Sequence, residues 1–348
     1  MRAWVVDPHK TGQARIQDVP EPADDADRLT VQAVAVGVCG TDREIVGGEH
    51  GTPPPGRDYL ILGHESLGRV IRAPQGGEFR EGDLISGIVR RPDPVPCGAC
   101  ARGEWDMCRN GQYTERGIKG LDGYASDRWT IEPEYAVLVP AGLGLTGVLV
   151  EPTSIVAKAW EHIERIGARS WFEPHRVLVT GAGPIGMMAA LLGVQRGLET
   201  HVLDRVADGP KPAAVAALGA TYHSGPAADV AREVSADIVI ECTGVGPVLM
   251  DVMENNAAAA VVCLTGVSHA ERTLDVNAER LNRQIVLEND VVFGTVNAAR
   301  RHYRAAVEAL AAADAQWLEG LITRRVPLDG FAAALAAQPD DIKVVLTF

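Results

Sequence analysis

Positive charge is scarce in this 348-residue chain: 33 Lys and Arg stand against 46 Asp and Glu, a formal net charge of −13. That balance argues against nucleic acid or an anionic membrane surface as partner and leaves a small molecule, with room for a local basic pocket. Long apolar runs are missing too. No stretch approaches the roughly 18 residues of a membrane-spanning helix. The opening residues MRAWVVDPHK lack the apolar core and small-residue cleavage site of a secretory leader. Cysteine is sparse, six residues in all, far below the density of a disulfide-built secreted domain. These absences set the expectation of a cytoplasmic protein. The 46% hydrophobic and 23% charged residues are those of a globular chain, and the length suits two domains.

The first 150 or so residues are rich in Gly and Pro and carry short β-type runs: Arg28–Val36, Ser66–Ile71, Leu84–Val89 and Tyr135–Val139. Between them, Arg43–Asp58 and Arg90–Leu121 read as long loops, which in a compact domain are functional or tied down. The character changes near Glu151. A helical pattern over Pro152–Ile166 leads into alternating strands and helices. The strands are Arg176–Thr180, Thr200–Asp204, Asp237–Glu241 and Ala260–Gly266, with helices at Ile185–Arg196 and Ala213–Leu218. Continuous apolar strands in such alternation indicate an open parallel sheet, hence an α/β protein. A helix, Ala298–Ala313, and a strand, Lys343–Phe348, complete the chain.

Gly181-Ala182-Gly183-Pro184-Ile185-Gly186 lies between a strand and a helix. The first Gly permits the tight turn, the second admits a pyrophosphate close to the backbone, and Gly186 packs helix on strand. The helix N-terminus then offers N–H groups to a diphosphate. Asp204 ends the next strand, placed to hold the adenosine ribose hydroxyls and repel a 2′-phosphate, which favours NAD over NADP. Arg205 beside it suits a 2′-phosphate or is a solvated surface residue, with Lys211 a more distant helper.

Cys97, Cys100 and Cys108 fall close together, as in a metal-binding lobe. Cys39, in Val38-Cys39-Gly40-Thr41-Asp42, ends a strand; His64 and Glu65, in Gly63-His64-Glu65, begin another; Glu151 opens a helix. Thiolate, imidazole and carboxylate are the ligand set of a catalytic zinc with an open position. Taken singly, each residue also has an ordinary structural reading, and so do Cys242 and Cys263 as core thiols, Trp105, Trp160 and Trp171 as packing residues, and Arg300, Arg301 and Arg304 as a solvated helix face.

GHE after a CGTD loop, a Cys-rich lobe, a helix opening with EP and the GAGPIG turn together resemble the zinc-dependent medium-chain dehydrogenases. CGTDREI, ERGIKGLDGY (Glu115–Tyr124) and VVFGTVNA (Val291–Ala298) resemble their glucose 1-dehydrogenase branch. The resemblance implies a GroES-like β-rich catalytic domain over residues 1–155 and 295–348, and a doubly wound Rossmann domain over 156–294. It implies a catalytic zinc on Cys39, His64 and a carboxylate from Glu65 or Glu151, and a structural zinc on Cys97, Cys100 and Cys108. The fourth ligand there is open: Gly103 occupies the spacing of another cysteine, and Glu104, Asp106 and Glu115 are candidates. Thr41 takes the substrate proton, with Glu44 where many alcohol dehydrogenases have a histidine and His50 nearby. Glu115, Glu151 and Asn297 would contact a sugar, although Asn297 also reads as a turn residue. Ile155 departs from the pattern, standing where some sugar-specific relatives have an acid. The expected reaction is hydride transfer from a sugar or cyclic polyol hydroxyl to NAD(P) in a homodimer or homotetramer. A cyclitol or nucleoside-like alcohol, a zinc-free reductase on the same fold and a non-catalytic dinucleotide-binding protein are the alternatives.

Overall fold

The computed structural model describes residues 1–268 and 273–348. The chain forms two compact units, Met1–Ser154 with Asn297–Phe348, and Ile155–Val296. The first is built around the ten-residue strand Leu29–Val38. One edge of that strand pairs antiparallel with Glu65–Arg72. The other edge is shared by Arg128–Ile131 at its start and Lys343–Thr347 at its end. Leu84–Gly87, Ala136–Val139 and Ile322–Pro327 complete a seven-stranded sheet. Inward residues alternate with polar ones at the start of Leu29–Val38, and its last four residues are all buried. The strand thus ends inside the unit, and the chain leaves it at Cys39 within the interior.

The second unit is a six-stranded parallel sheet in the order Thr221–His223, Glu199–Leu203, Arg176–Thr180, Ile238–Glu241, Val261–Leu264, Val291–Gly294. In chain order this is 3-2-1-4-5-6, the doubly wound arrangement that opens a ligand crevice at the carboxyl ends of the strands. The middle strands are near-continuous apolar runs because they are covered on both faces. The edge strand Val291–Gly294 is only half-buried.

Three expectations need correction. Arg43–Asp58 does not start as a loop, because it begins inside a helix, Gly40–Gly47. Asp42 Oδ2 accepts the Cys39 N–H at 3.0 Å and caps that helix, and left-handed Gly48 (φ 81°) ends it. Two turns are too short to show a helical period. Arg90–Leu121 likewise is not one loop: Arg90–Arg91, Thr114–Arg116 and Gly120–Leu121 form a small sheet within it. Trp171, expected to pack, is 84% exposed, whereas Trp160 is buried and Trp105 lies edge-on to Tyr135. Arg300 and Arg304 pair with Glu78, and Arg301 lies 3.6 Å from Glu104.

Candidate functional site

The registers Gly37↔Glu65 and Val38↔Val344 set three strand ends side by side. Cys39 comes after the first, His64 and Glu65 open the second, and Lys343 opens the third. A Cβ on Gly37 would overlap the Glu65 carboxylate and the Lys343 stem, so a side chain there would displace both. Cys39 Sγ lies 3.0 Å from His64 Nε2. One ligand atom each from Cys39, His64 and Glu65 (thiol, ring nitrogen and carboxylate oxygen) all lie within 4.8 Å of one another. The second imidazole nitrogen, Nδ1, faces Asp42 Oδ1 at 3.6 Å, which favours a proton there and leaves Nε2 to ligate. Lys343, fully buried, contacts the Glu65 carboxylate and points its Nζ at the Val38 carbonyl at 3.4 Å.

Burial pushes the Cys39 thiol up, against the pull of His64. Burial also opposes the charged imidazole, yet Cys39, Asp42 and Glu151 together hold His64 well above its ordinary value. Burial lifts Glu151 to about 7, with Glu65 adding to the rise and His64 opposing it. Glu151 therefore shares the electrostatics of the cluster while lying outside the three-residue ligand set. This group fits zinc: a soft thiolate, an imidazole oriented from behind and a carboxylate converge, with buried acids around them for a dication to offset.

Thr41 and Glu44 lie on the Gly40–Gly47 helix, both half-buried, and Glu44 is 3.8 Å from His50 Nδ1. Glu115 and Asn297 meet although 182 residues apart. Asn297 Nδ2 donates to Glu115 Oε1 at 2.7 Å, and Arg90 donates to the same oxygen from Nε at 3.1 Å and a terminal nitrogen at 3.0 Å. The Arg90 guanidinium is stacked on Tyr113, 3.8 Å from the ring centre. Asn297 is left-handed (φ 63°), its own Oδ1 accepting the Ala298 N–H. Ile155 lies one turn beyond Glu151 on the helix Val150–Gly167.

In the parallel-sheet unit, Gly181 has φ 89°, and a Cβ on Gly186 would overlap the Gly181 carbonyl. Both glycines are thus required by geometry. Pro184 and Ile185 open the helix Pro184–Gln195 after Gly183. Asp204 Oδ2 accepts the Ala182 N–H at 2.7 Å and Oδ1 the Val206 N–H at 3.2 Å, with Lys211 Nζ 3.5 Å away. Arg205 is exposed.

A family profile for the glucose dehydrogenase C-terminus matches residues 144–348, and one for the alcohol dehydrogenase GroES-like domain matches residues 25–141. Glucose 1-dehydrogenase of Methanocella arvoryzae is 37% identical over 355 residues, covering 99% of each chain. That of Thermoproteus tenax is 38% identical over 353 residues, again 99% of each. The chain belongs to the glucose 1-dehydrogenase branch of the zinc-dependent medium-chain dehydrogenases. Among solved structures, Haloferax mediterranei glucose dehydrogenase in complex with NADP, Zn and gluconolactone is similar with a TM-score of 0.92 at 32% identity, over 100% of this chain and 99% of that one. The β-rich unit is accordingly the GroES-like domain of this medium-chain dehydrogenase, and the parallel sheet its Rossmann-like domain.

In this dehydrogenase the thiols of Cys97, Cys100 and Cys108 lie within 4.8 Å of one another, with no carboxylate among the described residues joining the set. The candidates Glu104, Asp106 and Glu115 are engaged elsewhere: Glu104 faces Arg301, Glu115 binds Arg90 and Asn297, and Asp106 is buried in a short turn. Gly103 is left-handed (φ 75°) and closes the turn Cys100–Arg102. Backbone N–H groups of Cys100, Arg109 and Ala99 hold the Cys97 thiol down at about 6, while burial pushes Cys100 up to about 11. N–H groups aimed at sulfur favour thiolate, the ligating form.

Sequence reasoning passed over Asp42, Lys343 and Arg90. Asp42 could have been found as the acid three residues after the cysteine, at a capping position. Lys343 and Arg90 carry no local signal, because their partners are distant in sequence. Cys97→Ser is expected to remove one metal equivalent and lower Tm by at least about 4 °C, with kcat within about twofold of wild type. Metal analysis, melting and steady-state kinetics on the same preparation check this.

Proposed function

We propose that this chain oxidises the hemiacetal hydroxyl of an aldose, glucose or a close relative, to the lactone with NAD(P) as hydride acceptor. The convergence of Cys39, His64 and Glu65 carries the reading, supported by family membership and by the gluconolactone complex of the Haloferax relative. Zinc, held by Cys39, His64 and a carboxylate from Glu65 or Glu151, supplies Lewis acidity toward the substrate hydroxyl. Thr41, two residues past the ligating thiol, accepts the hydroxyl proton and passes its own toward Glu44 and His50. As the carbonyl forms, the carbon-bound hydrogen leaves with its electron pair to the nicotinamide ring, giving lactone, NAD(P)H and a proton. Glu115 and Asn297 offer polar partners to ring hydroxyls, each of which must be matched when buried. Ile155 favours a second reading for the substrate: a sugar, cyclitol or nucleoside-like alcohol with one hydroxyl fewer to bind on that side. Zinc-loaded protein screened against aldoses, cyclitols and nucleosides should reduce NAD or NADP with at least one aldose. Cys39→Ala should lose the catalytic metal and more than about 100-fold of the rate; wild-type turnover in that variant, or an aldose-inert wild type, refutes the reading.

For the cofactor we infer a preference for NAD, although the Haloferax relative holds NADP. The Asp204 carboxylate stands beside the glycine turn, where it would repel a 2′-phosphate. Asp204→Asn should raise NADP use relative to NAD by about tenfold in kcat/KM, or ~1.4 kcal/mol; an unchanged ratio assigns the choice to Arg205 or Lys211.

We further infer a homo-oligomer through the half-buried edge strand Val291–Gly294, which leaves one edge unpaired in the sheet order. Val286, Leu287 and Val296 lie exposed close to it in sequence. Light scattering should return an even multiple of the chain mass. The six free cysteines suit a reducing compartment, in keeping with a cytoplasmic enzyme.

A further inference from the structure

We propose that Glu241 is a positioning residue of the dinucleotide site, its buried carboxylate fixing Thr180, which precedes Gly181, and Thr243, which packs against it, and so the shape of the turn that receives the cofactor diphosphate. The inference rests on the proposed binding of NAD(P) by the parallel-sheet unit.

Glu241 ends the strand Ile238–Glu241 and is fully buried. Its register partner on the neighbouring strand is Thr180, the residue before Gly181. Thr180 Oγ1 donates to Glu241 Oε1 at 3.1 Å. Thr243 donates to the same oxygen twice, through its N–H at 2.7 Å and through its hydroxyl, and Gly244 N–H donates to Oε2 at 3.1 Å. The Glu241 carbonyl in turn accepts from the Thr265 N–H at 2.8 Å, the Thr265 hydroxyl at 2.8 Å and the Gly266 N–H at 3.0 Å. One residue thereby ties the carboxyl ends of three adjacent strands, Arg176–Thr180, Ile238–Glu241 and Val261–Leu264, along the edge where this fold binds its ligands.

The space around it transmits displacement. A Cβ on Gly181 would stand 3.1 Å from the Thr243 methyl, so Thr243 walls the first glycine of the turn. A Cβ on Gly244 would overlap the Val267 carbonyl, and one on Gly266 would overlap the Gly244 nitrogen. Thr243 and Gly244 cannot move without moving what they touch. The chemistry also selects the residue. All four contacts to the side chain are donors, and an ionised carboxylate is acceptor-only, whereas a glutamine amide would turn its NH2 toward at least the Gly244 N–H, donor against donor. A buried anion without a cation among these contacts costs free energy to desolvate. Apolar packing would fill the volume at lower cost, so what the carboxylate adds is a fixed geometry for two loops.

The test uses full-length, zinc-loaded protein. NADH and NADPH dissociation constants are read from nicotinamide fluorescence, alongside cofactor KM and kcat with an aldose that the wild type oxidises. Glu241→Gln should weaken nucleotide binding and raise cofactor KM by at least about tenfold, with zinc content unchanged and kcat at saturating cofactor within about threefold. Thr243→Val keeps the charge, removes one donor and should cost about threefold. Wild-type dissociation constants in Glu241→Gln, or a lowered Tm with unchanged KM, overturn the proposal. If Glu241→Gln does not fold, Thr180→Val and Thr243→Val decide, and wild-type affinity in both overturns it. A wild-type chain that binds neither nucleotide refutes the functional reading itself, a result separable from failure of the variants alone.

Discussion

The antiparallel pairing of Leu29–Val38 with Glu65–Arg72 on one edge and Lys343–Thr347 on the other is the constraint on which the metal centre depends. Cys39, Glu65 and Lys343 come from distant parts of the chain and meet because three strand ends are held in register. A shift of one residue would turn Glu65 to the opposite face of the sheet. Gly37 fixes the approach from within, since a side chain there would occupy the volume of the carboxylate and the lysine stem. The helix Gly40–Gly47 is part of the same device. Its capping residue Asp42 uses one oxygen to stop the backbone at Cys39 and the other to face His64. Local helix chemistry and imidazole orientation share one carboxylate.

The parallel-sheet unit solves a comparable problem with neutral donors. Its ligand edge consists of strand ends and glycine turns, which have little side-chain packing to hold them. Glu241 gathers donors from Thr180, Thr243 and Gly244, while its carbonyl gathers those of Thr265 and Gly266. In both units a buried acid stands at the strand ends and accepts backbone N–H groups there. Preorganisation of this kind moves the ordering cost into folding, so that less of it falls on binding.

How much of this was legible in the sequence depends on the range of each interaction. The GAGPIG turn and the strand Arg176–Thr180 are contiguous and could be read directly, as could Asp204 at the end of the next strand. Cys39, His64 and Glu65 stood out through local settings that matched a family pattern, but nothing local placed Glu151 beside them rather than among them. Lys343 opens an apolar run and looks like a strand terminus; its burial comes only from the pairing of its strand with Leu29–Val38. The Gly40–Gly47 helix was illegible because two turns ending in glycines give no period. In the Cys-rich segment, Gly103 occupies the spacing of another cysteine, and its left-handed conformation, which closes a turn, is not legible from that spacing.

The charge at the metal centre explains why its basic residues are placed as they are. Cys39, Asp42, Glu65 and Glu151 bring four acidic groups into a buried volume that His64 and Lys343 answer with two basic ones. Charges removed from water are costly unless matched, so the protein matches them with protons: His64 is drawn toward the imidazolium and Glu151 holds its proton up to about 7. A divalent cation held there would replace those protons, and its hold would weaken as pH falls and protons compete for the same groups. Lys343 Nζ sits against the Glu65 carboxylate and faces the Val38 carbonyl, so Glu65 has a basic partner in contact. His64 and Lys343 draw Glu151 down but do not offset its burial. The two carboxylates are therefore inequivalent. Glu65 is tethered within reach of the thiol and imidazole, and Glu151 stands outside that set with its carboxyl held up by burial.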